Sequence, residues 1–251
     1  MKTFLFSACC LLLICCHPKQ SGDSSTVVDS TIAVNDISAN FKIDTISYQD
    51  TAYHLAVDIA YAYPKDDASG VYKSLVTSTI DSALADFKNE IRKIWKEEGE
   101  DEDKSNFDGL SHNMFDAAPA TCYSDDNIIS TSFSIGISHA GAVHGFNGVH
   151  SINFDKRSQK VITFNDYFRI KTTTDSVLIL LALDEAFGGL RKELKPNNSW
   201  EFYGLNDSNF GILKDSLVFN FSDYQLGQGP SMTNCKVSKH QLISLIQAPY
   251  K

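Results

Sequence analysis

Apolar and polar residues alternate with a period of two on either side of a glycine- and histidine-rich stretch, 138–155, near the middle of the chain. Ahead of it Ile129, Thr131, Phe133, Ile135 and Ile137 alternate with Ser130, Ser132, Ser134, Gly136 and Ser138. Behind it His150, Ile152 and Phe154 alternate with Ser151, Asn153 and Asp155. That period predicts two half-buried strands, apolar on one face and polar on the other, joined by a loop. Extending the alternation puts His139 and His150 on the apolar faces at the loop end of the hairpin, with His144 in the loop itself.

The same reading predicts strands over 37–46 and 52–63, the second with Tyr53, Leu55, Val57, Ile59 and Tyr61 on one face. The period then changes. Tyr72, Val76, Ile80, Leu84, Phe87, Ile91 and Trp95 recur every three to four residues, which predicts a long amphipathic helix over 69–95 lying on the sheet, with Ser69 as N-cap and Gly99 near its end. Residues 100–113 read as a surface loop that includes part of the acidic run 97–103. A strand follows over 120–125. After the hairpin, 156–159 turns the chain into 160–164. Thr174 caps a second helix with Val177, Leu178, Leu181 and Leu183 on its apolar side, interrupted at Gly188-Gly189. Segments 210–213, 217–221 and 232–237 read as strands, and Ser238 caps a last helix over 241–246. Strands clustered between helices, with tight hairpins, predict an α+β fold: a mainly antiparallel sheet with one long amphipathic helix and two shorter C-terminal helices.

The first residues change the picture of where the protein works. Lys2, the apolar run 4–14 and the cysteines that close it are too short to span a bilayer and predict a secretory signal over 1–15. Cys16 is the expected lipidated residue, because a polar, serine-rich tether (16–36) follows at once. Together these predict a bacterial lipoprotein anchored outside the cytoplasm, with an N-terminal strand–helix subdomain over 37–115 and a C-terminal subdomain over 116–251. The formal charge is -9 for the whole chain, which disfavours nucleic acid and anionic membrane surfaces and suits a basic partner. Beyond Cys16 only Cys122 and Cys235 remain. In an oxidising compartment they either pair, closing a long loop, or stay as two buried thiols.

Catalytic motifs are sparse. Gly136-Ile137-Ser138-His139-Ala140-Gly141 has one residue too many for a nucleophile elbow and lies on a strand. The chain has no His-Glu-x-x-His, no phosphate loop and no dinucleotide fingerprint. His139, His144 and His150 are the remaining constellation; three imidazoles and a water suit zinc, although spacings of five and six match no zinc pattern. No cofactor is expected.

Gly141-Ala142-Val143-His144-Gly145, then Asn153-Phe154-Asp155, Val161-Ile162-Thr163 and Asp166-Tyr167-Phe168, resemble the extracytoplasmic domain family of RsiV and PdaC, also found in bacterial lipoproteins. Leu217 to Phe221 leading into Asp223-Tyr224-Gln225-Leu226-Gly227 and Gly229 extends the resemblance. Ala142 stands where the family loop has its second glycine, and Gln228 where it has an aromatic residue. The resemblance implies a non-enzymatic binding module for a cell-wall-related ligand, either peptidoglycan glycan or a lysozyme-like basic protein. His139, His144, Gly145, Asn147, His150 and Tyr224 are its candidate ligand-binding residues. A metal-dependent hydrolase built on His139, His144 and His150 is the alternative. A structural envelope protein is the third reading, favoured if no concave pocket lies beside the loop.

Overall fold

A computed structural model describes residues 40–98, 112–142, 144–186, 209–223 and 233–251. The expected signal, Cys16, the tether, most of the acidic run, Gly188-Gly189 and the loop carrying Tyr224 lie outside the described residues. Six strands form one sheet in sequence order: β1 (Phe41–Asp50), β2 (Leu55–Pro64), β3 (Asn113–Ser124), β4 (Ile128–Ser138), β5 (Phe146–Asp155) and β6 (Lys160–Val161). All neighbours are antiparallel except β2 and β3, which run parallel because α1 (Val71–Glu98) carries the chain between them. A second, three-stranded antiparallel sheet is made of β7 (Phe210–Ile212), β8 (Ser216–Phe221) and β9 (Thr233–Ser238). The short helix α2 (Phe164–Tyr167) and the helix α3 (Thr173–Ala186) lie between the two sheets in sequence. The expected subdomain boundary at 115/116 falls inside β3, so the two anticipated parts share one sheet. No helix among the described residues is long and apolar enough to cross a membrane.

Two cores flank the large sheet. On one face α1 buries Tyr72, Val76, Ile80, Leu84, Phe87 and Ile91 against Leu55, Val57, Ile59, Phe115, Phe133, Ile152 and Phe154. Each such side chain contributes roughly 1.5–3 kcal/mol relative to exposure. The helix starts at Val71, after Gly70 at φ +65; Asp67 and Ser69 accept hydrogen bonds from the amides of Lys73 and Val71. On the other side the small sheet, α2 and α3 enclose a second core around Phe168, Phe210, Phe219, Val237 and Leu245.

Where the small sheet meets the large one, the contact is polar. Ser130 and Ser132 are buried, which departs from the half-buried strand that the alternation predicts. Ser130 Oγ donates to Asn153 Oδ1 at 2.7 Å, and Asn153 Nδ2 donates to the Phe210 carbonyl at 2.8 Å. The amide of Ile212 donates to Ser130 Oγ, and Asn220 Nδ2 reaches Ser132 and Ser151. Small hydroxyls let the backbones approach closely: a Cβ at Gly211 would lie 3.0 Å from Ser132 Oγ. Period-two alternation reads the same whether the polar face meets water or a second sheet.

Other differences have similar causes. α3 buries Ile179, Ala182 and Leu183, while Val177, Leu178 and Leu181 are exposed. The helix is apolar nearly all round, so its pattern has no unique phase. Its cap is Thr172, whose Oγ1 accepts from the Asp175 amide, rather than Thr174. The last expected helix is a single 3₁₀ turn, Lys239–Leu242, although Ser238 does cap it, together with Gln241. Cys122 and Cys235 are free thiols. Cys122 packs into the α1-side core and Cys235 into the other, so the layer of strands between them prevents the pairing.

Candidate functional site

The residues of the family-like motifs mostly hold the fold. Asn153 belongs to the polar seam, Phe154 packs edge-on against Tyr72, and Asp155 accepts from the amides of Arg157 and Ser158 to close the turn after β5. Asp166 and Thr163 form a capping box for α2, and Tyr167 and Phe168 are buried. Asp223 Oδ2 accepts from the Asn147 backbone amide at 2.7 Å and from its side chain at 3.0 Å, tying the end of the small sheet to β5.

The β4–β5 loop spans 139–145 and is shorter than expected, since β5 already begins at Phe146. Gly141 takes φ +79, a conformation that favours glycine. Ala142 is not among the positive-φ residues, so the backbone accommodates alanine there. Gly145 is required for another reason: a Cβ would lie 2.7 Å from the Ile137 carbonyl oxygen.

The expected site residues do not converge. His139 sits at the end of β4, its ring 5.0 Å from that of Phe87 and its Nε2 3.1 Å from Glu90 Oε1. His144 is exposed, with Nδ1 3.1 Å from the Gly145 carbonyl oxygen. His150 pairs with Phe133 in mid-strand, well away from the loop end. Asn147 bonds across to Asp223, on the sheet face opposite His150, because neighbouring strand positions alternate. Among the described residues no three His, Cys, Asp or Glu side chains are placed to hold a metal ion.

The structure instead opens a cleft of about 320 Å³ between α1 and the β4–β5 hairpin. Its apolar wall consists of Phe87, Phe115 and Phe146 with Ile135 and Ile137. Gly148, on the same face, puts no side chain into it. The polar groups are Asp86 and Glu90, one turn apart on α1, and His150 from β5. Of the histidines predicted, His150 lines the cleft and His139 stands beside it through Glu90. Asp86, Phe87, Glu90 and Phe146 were not anticipated. The signal available was a pair of acids at i, i+4 beside a core phenylalanine, which in isolation reads as a solvated helix face.

Burial holds the His150 imidazole below the ordinary histidine range. In the unfolded chain it takes up a proton near pH 6.5, before the folded chain does. Its contribution to stability is therefore complete above that pH and falls as the pH drops from there towards the folded-state value. Urea midpoints of the protein should decline from about pH 7 to about pH 5, and His150→Gln should flatten that decline. An unchanged slope in the variant would place the proton uptake elsewhere.

No family model matches the chain, and no curated protein matches it. Its structure is similar to that of a DUF3298 family protein from Pseudomonas aeruginosa PAO1, at a TM-score of 0.57 and 13% identity, over 83% of this chain and 94% of that one. It is also similar to a member of the same family from Bacteroides fragilis NCTC 9343, at a TM-score of 0.52 and 16% identity, over 83% and 93%. At such identities the likeness shows the fold: this chain shares the architecture of DUF3298 family proteins.

Proposed function

We propose that this protein is a non-enzymatic binding module, held at the bacterial envelope by a lipid on Cys16, that takes a cell-wall glycan in the cleft between α1 and the β4–β5 hairpin. The observation that carries this reading is a cleft lined by phenylalanine rings together with three polar groups, Asp86, Glu90 and His150. A pyranose has an apolar face and a rim of hydroxyls. The rings suit the first; Asp86, Glu90 and His150 suit the second. The resemblance of the hairpin motif to the RsiV and PdaC domain family supports the envelope setting. A lysozyme-like protein would need roughly 800 Å² of complementary surface, far more than this cleft offers.

The test is retention of the purified protein on insoluble peptidoglycan, with immobilised lysozyme run in parallel. Retention on peptidoglycan is expected, and Phe146→Ser should reduce it sharply, because Phe146 is 41% exposed and its loss leaves the core intact. Absence of retention, or retention on lysozyme alone, would sink the glycan reading.

A further inference from the structure

We infer that the cleft selects a glycan carrying a free, protonated amine over its N-acetylated counterpart. This rests on the glycan reading above and adds the chemical class of the sugar. No lysine or arginine lines the cleft, whereas Asp86 and Glu90 both do. His150, the other titratable group in the lining, does not offset them, because burial favours its neutral form. His139, from the end of β4, faces Glu90 from outside the lining at 3.1 Å.

One exposed aromatic ring adds to the same preference. Phe87 and Phe115 are buried, whereas Phe146 is 41% exposed, and the face of a phenylalanine ring carries the negative lobe of its quadrupole, which attracts a cation. An ammonium entering between α1 and β5 therefore meets two carboxylates able to accept charge-assisted hydrogen bonds, one of them already 3.1 Å from His139, and no lysine or arginine in the lining. An N-acetyl group in the same place brings a neutral amide, which gains neither the charge-assisted bonds nor the cation–π attraction. Residues one turn apart on a helix stand about 5–6 Å apart at Cβ, so Asp86 and Glu90 can flank a single amine.

The experiment is calorimetric titration of the purified protein with two short oligomers of the same length, one of N-acetylglucosamine and one of glucosamine. An amine next to hydroxyl-bearing carbons titrates in the α-amino range, about 7.7–8.0, so measurement near pH 7 keeps much of it charged. The amino oligomer is expected to bind at least about ten-fold more tightly. The double substitution Asp86→Asn and Glu90→Gln should remove that difference, bringing the amino oligomer's affinity down to that of the N-acetyl oligomer. Asp126→Asn, in the turn between β3 and β4, should change neither. Equal affinities, or a preference for the N-acetyl oligomer, would overturn this inference and leave the glycan reading standing. Binding of neither oligomer, together with no retention on peptidoglycan, would overturn both. A preference for the amino oligomer that survives the double substitution would show that the carboxylates are not its source, and would overturn the assignment to Asp86 and Glu90.

Discussion

Asn153→Ala is expected to destabilise the protein by about 3–5 kcal/mol, one of the two largest single-residue effects. Asn153 is 1% exposed and links the two sheets directly: Oδ1 accepts from Ser130 Oγ and from the Ile212 amide, and Nδ2 donates to the Phe210 carbonyl. Alanine strands the Phe210 carbonyl and removes the acceptor that orients Ser130. Each buried polar group left without a partner costs about 1–3 kcal/mol. Asn153→Asp restores the acceptor but not the donor, and buries a charge, so it should not rescue stability. Urea denaturation monitored by circular dichroism gives the answer. A loss below about 1 kcal/mol would mean that the small sheet is held by its apolar core and not by the seam.

Phe115→Ala is expected to cost a similar amount, about 3–5 kcal/mol, through a different mechanism. Phe115 is 1% exposed on β3, where its ring lies 6.3 Å from that of Phe87 and forms part of the cleft wall. Removing the ring forfeits its transfer free energy and leaves a void between α1 and the sheet that a rigid strand cannot collapse to fill. For a chain of this size the melting temperature should fall on the order of 10 °C. Phe115→Leu should recover most of that loss. A variant with unchanged melting temperature would mean that α1 re-packs onto the sheet, and hence that the cleft is not a preformed feature.

The two variants probe the two faces of one sheet, and the faces differ in how readable they were. The α1 stripe from Tyr72 to Ile91 was legible because a helix repeats every 3.6 residues and only one face can be buried against a flat sheet. The strand facing it, Leu55, Val57 and Ile59, was legible for the matching reason at period two. The opposite face was not. Serines at 130, 132 and 151 carry the same alternation whether they meet water or the amides and asparagines of a second sheet, and nothing local distinguishes the two. α3 failed for the converse reason: apolar residues all round a helix leave its orientation to whatever packs beside it.

The candidate site divides along the same line. A central hairpin carrying histidines, the place of Gly141 and Gly145 in its loop, and an α+β chain with mainly antiparallel pairing were readable from local pattern. Those are consequences of local geometry: backbone dihedral preference, side-chain period and the size of a Cβ. Packing between elements was needed to set His150 on a cleft and Asn147 against Asp223, to place Cys122 and Cys235 in separate cores, and to bring Asp86 and Glu90 across from β5. The residues forming the cleft come from segments up to 67 positions apart, from Ala83 to His150. Their meeting depends on the parallel β2–α1–β3 crossover, which carries the helix back over a sheet whose later strands have yet to be laid down in sequence. No periodicity along the chain encodes that juxtaposition, because it arises from packing between elements rather than from the order of residues within any one of them.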